Sequence, residues 1–157
     1  MIDLAINKTY LAGKWGTRQA VRELVQNCID EGEYAIEKID DSTYSFITPG
    51  SVLTIDKLAL GTTSKSNDKS KVGKYGEGMK VGFVALLRDG CKIKIKTGAG
   101  EIWTPVFQWS TQFLCTTLQI EVEHDPEPQT GVEILLTNVK ESLNGIAIPL
   151  DFAIDGE

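Results

Sequence analysis

Apolar residues recur at helical spacing in two stretches of the chain and at a spacing of two in several others. Between Thr17 and Glu31, the residues Ala20, Val21, Leu24, Val25, Cys28 and Ile29 form one stripe. That stripe predicts a helix with Thr17 as its N-cap and Gly32 as its stop. Residues 34–39 and 43–48 are β-rich segments separated by Asp40, Asp41 and Ser42, the pattern of a hairpin with a polar turn, and Pro49-Gly50 ends the second of them. A short helix capped by Thr54 is expected over 54–60, followed by a polar loop over 62–71. Helical periodicity returns over 76–88 through Met79, Val81, Phe83, Val84, Leu86 and Leu87, and Asp89-Gly90 terminates it.

The second half changes character. Ile93 and Ile95 alternate with Lys92, Lys94 and Lys96, which predicts a strand with one wet face. Residues 102–109, 114–122 and 131–139 read as further strands, and 125–130 as a turn-rich connector. The order helix, hairpin, loop, helix and then strands predicts an α+β fold, a two-layer sandwich of helices on one face of a mixed, largely antiparallel sheet. The stretch 145–154 is apolar enough to pack and receives no assignment.

Composition narrows the class. With 157 residues and 41% hydrophobic content, the chain supports one domain with one core. It has no apolar run of about 18 residues and no secretory layout at its start, so a cytoplasmic protein is expected, in the host cytoplasm if the source is viral, with no membrane partner. Cys28, Cys91 and Cys115 are odd in number and lack CxxC pairing, which supports neither a disulfide framework nor a zinc site. The net charge of −6 argues against nucleic acid as a partner. The lysines at 65, 69, 71 and 74, and the strand lysines near Trp103 and Trp109, read better as solvated surface, and the tryptophans as packing residues. His124, beside Asp125 in a turn, is a weak candidate for catalysis.

Three elements carry chemistry. In the first helix Glu23, Asn27 and Asp30 stand at i, i+4 and i+7, within about 60° of arc. Two carboxylates and an amide on one line suit a hard divalent cation and a water-activating base, although a polar line of this kind most often simply faces water. The second element is the run Gly73, Lys74, Tyr75, Gly76, Glu77, Gly78, Met79, Lys80, Val81, Gly82. Glycines at a helix start let backbone N–H groups approach an anion, and Lys80 adds a point charge. No GK[ST] follows, so this is not a Walker A loop. The third is the hydroxyl-rich, locally basic loop containing Thr62, Thr63, Ser64 and Lys65, suited to a lid over 62–74 that donates to phosphate oxygens.

Together, and in this order, the three elements resemble the GHKL (Bergerat-fold) ATPase superfamily, closest in flavour to its MORC-like and phage rIIA-type members. The segment from Glu23 to Glu31 looks like that family's N box. Gly61 to Lys65, followed by Val72 to Gly82, looks like its lid and second glycine box. The resemblance implies Mg²⁺ with ATP as cofactor, Glu23 as general base for the attacking water, Asn27 as the Mg²⁺ ligand and Asp30 as a polar neighbour. It also implies nucleotide contacts from Gly73, Lys74, Tyr75, Gly76, Glu77, Gly78, Met79 and Lys80, with the Gly76 and Gly78 N–H groups cradling phosphate and Lys80 close by, and with Thr48 and Gly50 on the base side. A protein partner or a homodimer is a further expectation of the family.

The pattern breaks on the base side. Where the family carries Asp-x-Gly-x-Gly, this chain has Thr48, Pro49, Gly50, Ser51 and Val52, and a late-strand threonine expected after Gly131 is replaced by Val132. A neutral hydroxyl accepts a weaker bond than a carboxylate. Three outcomes stay open: another base or nucleotide, ATP binding dominated by phosphates, or a fold retained to hold a protein or other ligand without catalysis. No transducer segment with its phosphate-binding lysine is present, which implies either a fragment of a longer protein or slow or absent turnover.

Overall fold

Alternation of apolar and polar residues produces strands in both halves of the chain. The computed structural model describes residues 1–59 and 74–143, the side chains of 59 and 74–77 excepted. Its elements are β1 (Ile2–Asn7), α1 (Thr17–Glu31), β2 (Ala35–Asp40), β3 (Thr43–Thr48), α2 (Ile55–Ala59), α3 (Lys74–Arg88), β4 (Lys92–Lys96), β5 (Glu101–Ser110), β6 (Cys115–His124) and β7 (Val132–Thr137). The seven strands form one sheet in the order β1-β6-β5-β4-β7-β3-β2. Strand β1 has no counterpart among the sequence expectations, although Ile2, Leu4 and Ile6 alternate.

The expected sandwich of helices on one face of a mixed sheet is overturned. Every pairing is antiparallel, and the fold is mainly this seven-stranded sheet with few helices. Short connections are the physical reason. Strand pairs β2–β3 and β5–β6 are joined by tight turns, which only antiparallel neighbours allow. The helices, for their part, meet each other more extensively than they meet any strand.

Helix α1 has the expected bounds, but Gly16 rather than Thr17 is its N-cap, with the Gly16 N–H donating to Gln19 Oε1 at 3.1 Å. Thr17 instead donates from its backbone N–H (2.9 Å) and its hydroxyl (2.7 Å) to Asp89 Oδ2 just beyond α3, which sets the two helices antiparallel. Further along, Gly82 faces Ala20, and the missing side chain lets the helices close together. Arg88 ties the segment before α1 to the end of α3 by donating to the carbonyls of Lys8, Tyr10 and Trp15.

The core joins Leu24 and Val21 of α1, Phe83 and Leu86 of α3, and Ile95, Trp103, Leu118 and Leu136 of the sheet. Trp103 is fully buried, as a packing residue should be, with Nε1 donating to Glu101 at 3.0 Å. Trp109 departs from that expectation, since it is 57% exposed beside Phe113 and Leu114 at the β5–β6 turn. Strand β2 closes one edge of the sheet with Glu37, Lys38 and Asp40 exposed, charges that discourage pairing with another chain. Strand β4 pairs with β7 along its whole length but with β5 only at Ile95 and Lys96, so the two strands part below those residues.

Candidate functional site

Of the three polar residues expected on α1, Glu23 and Asn27 fall on the side that meets α3 and the β3–β7 pair. Glu23 is half-buried, and Asn27, among apolar neighbours, is 7% exposed. Asp30 points elsewhere. It is exposed and accepts a hydrogen bond from Gln26 Nε2 at 2.9 Å. The carboxylate that continues the line from Glu23 and Asn27 is Glu31, one helical turn past Asn27, and it accepts a 2.6 Å hydrogen bond from the buried Ser51 hydroxyl. Neither Glu31 nor Ser51 was among the sequence candidates. The spacing 23, 27, 31 at successive i+4 steps is the signal that could have found Glu31.

Around Asn27 lies a cavity of about 20 Å³, walled by Cys28 and Glu31 of α1, Thr48 of β3, Met79 of α3 and Val132 of β7. Asn27 Nδ2 is buried there without a hydrogen-bond partner among the described residues. Such a group costs about 1–3 kcal/mol, and in native proteins it calls for an explanation such as a ligand or ordered water. Thr48, 8% exposed, takes the position that the resemblance gives to base recognition, with Val132 directly opposite it in the β3–β7 ladder. Gly50 lies in the exposed turn beyond Thr48. A cavity of this size holds about one water and excludes a purine ring.

The glycine-rich run is more helical than expected. Helix α3 starts at Lys74 rather than Gly76, so Lys74, Tyr75, Gly76 and Glu77 form its first turn, whose backbone N–H groups lack intrahelical acceptors. Because α1 and α3 are antiparallel, this turn lies alongside the middle of α1. A Cβ placed on Gly78 would overlap the Glu23 carboxylate, so the absence of a side chain there is what admits Glu23 to the start of α3. Met79 reaches the cavity, and Lys80 is 3% exposed within the structure. Thr62, Thr63, Ser64, Lys65 and Gly73, with most of the expected lid, lie outside the described residues.

A magnesium site fits this donor set only in part. Among the described residues no group of three or more His, Cys, Asp or Glu side chains could hold a metal by itself. Mg²⁺ in phosphoryl-transfer sites commonly takes one or two protein oxygens and completes its shell with phosphates and water, and Asn27 with Glu23 nearby matches that style.

Cys28, on the cavity wall, is pushed up to about 12 by burial and by the Glu31 carboxylate, and burial also raises Cys91. The Cys28 thiol therefore favours the folded state below its ordinary value of 9.0, and that contribution fades as pH rises from there toward 12. At pH 8 the native protein is expected to react with iodoacetamide at Cys115, which is half-buried, and to leave Cys28 and Cys91 unmodified until urea is added. Mass mapping of the alkylated thiols checks this, and native labelling of Cys28 would contradict its burial. His124 is exposed at the end of β6, and its side chain makes no hydrogen bond among the described residues.

No family model matches the chain. It is 24% identical over 156 aligned positions to a Mycoplasma pneumoniae protein named only as uncharacterized. That match covers 88% of this chain and 61% of the relative, so the chain spans about three fifths of the relative's length. Among the described residues, no helix is long and apolar enough to cross a membrane.

Proposed function

We propose that this chain is a Mg²⁺-dependent nucleotide-binding module that holds ATP mainly by its phosphates and hydrolyses it slowly. The observation that carries the reading is the buried Asn27, one turn from a Glu23 carboxylate that abuts Gly78 in the early turns of α3, with an Nδ2 donor that has no partner among the described residues and so suits an acceptor such as a phosphate oxygen. In this reading Asn27 offers its amide oxygen to Mg²⁺, which when bound neutralises charge on the phosphate oxygens. The first turn of α3 presents its backbone N–H groups and the positive end of its dipole to the phosphates. Glu23 takes the proton from the attacking water. The base contributes little, because Thr48 offers a neutral hydroxyl, Val132 offers none, and the cavity between them is the size of a water.

Calorimetric titration with ATP, GTP and tripolyphosphate in the presence of Mg²⁺ tests this. The three are expected to bind within about tenfold of one another, a spread of about 1.4 kcal/mol, and to lose binding when EDTA removes the metal. No heat from any of the three at millimolar concentration would sink the proposal.

A second reading, a non-catalytic module that holds a protein partner or another copy of itself, draws on the exposed Trp109, Phe113 and Leu114. It expects a dimer in sedimentation that the Trp109→Ser, Leu114→Ser double variant converts to monomer.

A further inference from the structure

The parting of β4 from β5 opens a cavity of about 500 Å³ within the sheet. Its walls are almost wholly apolar, formed by Ile93 on one strand and Pro105, Val106 and Phe107 on the other, with Leu135 of β7 beside them and Leu87 of α3 closing the helical side. Pro105 explains part of the separation, since it has no N–H to give to a neighbouring strand and β5 is already paired with β6 throughout.

At the mouth stand Lys92 and Lys94, both exposed, and neither makes a hydrogen bond or ion pair among the described residues. Across the β4–β7 ladder they face Thr137 and Leu135, whereas Lys96, at the closed end, faces Glu133 and lies 3.7 Å from Asp125. The two uncompensated ammonium groups thus stand over an apolar slot.

We propose that this slot binds a medium-chain alkyl carboxylate, with the chain between β4 and β5 and the carboxylate against Lys92 and Lys94. The volume lies within the range of small-molecule pockets, and the arrangement of an apolar body with a few convergent charges is the usual form of such sites. An added peptide strand is disfavoured because Pro105 gives no N–H to the edge of β5 that faces the slot and the lining is almost wholly apolar. The site is separate from the one at Glu23. Leu87 and Gly78 are nine residues apart on α3, about 14 Å along its axis.

Calorimetry on the full chain with decanoate, decanol and decylammonium tests the assignment. Decanoate is expected to bind at least about tenfold tighter than decylammonium, and added salt should narrow the gap. Replacing Lys92 and Lys94 by glutamine, on an exposed face where folding is unaffected, should weaken decanoate about tenfold and leave decanol unchanged. Val106→Trp should abolish binding of all three by filling the slot, and if that variant does not fold, the lysine pair decides alone. Glu23→Ala should leave decanoate affinity intact. Equal affinity for decanoate and decylammonium, unchanged decanoate binding in the lysine variant, or no binding of any of the three at millimolar concentration would overturn the proposal.

Discussion

Replacing Gly131 by alanine is expected to destabilise the fold by roughly 3–5 kcal/mol, adding the left-handed backbone penalty to that of forcing extra atoms into a packed site. Gly131 has a φ of +85°, and a Cβ there would lie 2.6 Å from Pro49 Cα and 2.8 Å from Pro49 O. Both are backbone atoms, which no side-chain rotation can move aside. Gly98 makes a related contact, its would-be Cβ lying 2.8 Å from the Gly131 carbonyl oxygen. Three backbone segments, leaving β3 and β4 and entering β7, thus converge at the end of the sheet that carries Thr48 and Val132, with glycine at two of the three contact positions. Gly100→Ala provides the comparison. Its φ is also +85°, but nothing lies within 4 Å, so only the backbone penalty of about 1–2 kcal/mol applies. Urea unfolding of the two variants separates crowding from backbone strain, and a loss at Gly131 no larger than at Gly100 would refute the close-contact explanation.

The same contrast between local and distant causes explains what the sequence makes legible. Helix α1 follows from six apolar residues on one stripe and is found at the expected residues, and Lys92–Lys96 alternates as a strand with one wet face. The pairing of β4 with β7, forty residues on, and the seating of β1 against β6 are long-range choices that no local period encodes. Seven strands therefore appear where a helix-covered mixed sheet was expected. Helical spacing places Glu23 and Asn27 on one face of α1, as the structure has them. Asp30 turns outward instead, and the contact that Glu31 receives from Ser51 depends on where the loop after β3 lies, which helical spacing does not encode. The slot beside Lys92 was illegible for a different reason. It arises where two strands fail to pair, and the only local trace of that is a single proline.

The largest functional effect is expected at Glu23. Under the proposed function, Glu23→Gln should lower nucleotide hydrolysis by on the order of 10²–10⁴, the usual contribution of a positioned general base, while changing affinity by less than about threefold. Glutamine keeps the shape that rests against Gly78 and removes the ability to accept a proton. Gly78→Ala probes the same carboxylate from the other helix. Alanine inside a helix ordinarily stabilises by about 1 kcal/mol relative to glycine, so this variant should remain folded. Its Cβ, however, claims the space of the Glu23 carboxylate, which is the far end of a flexible side chain and can swing away. Hydrolysis should then fall about as far as in Glu23→Gln, and the double variant should be scarcely worse than either single one, because both act on one group. Steady-state rates with affinities measured in parallel distinguish the outcomes. Full turnover in Gly78→Ala, or equal losses of affinity and rate in Glu23→Gln, would remove Glu23 from the role of base.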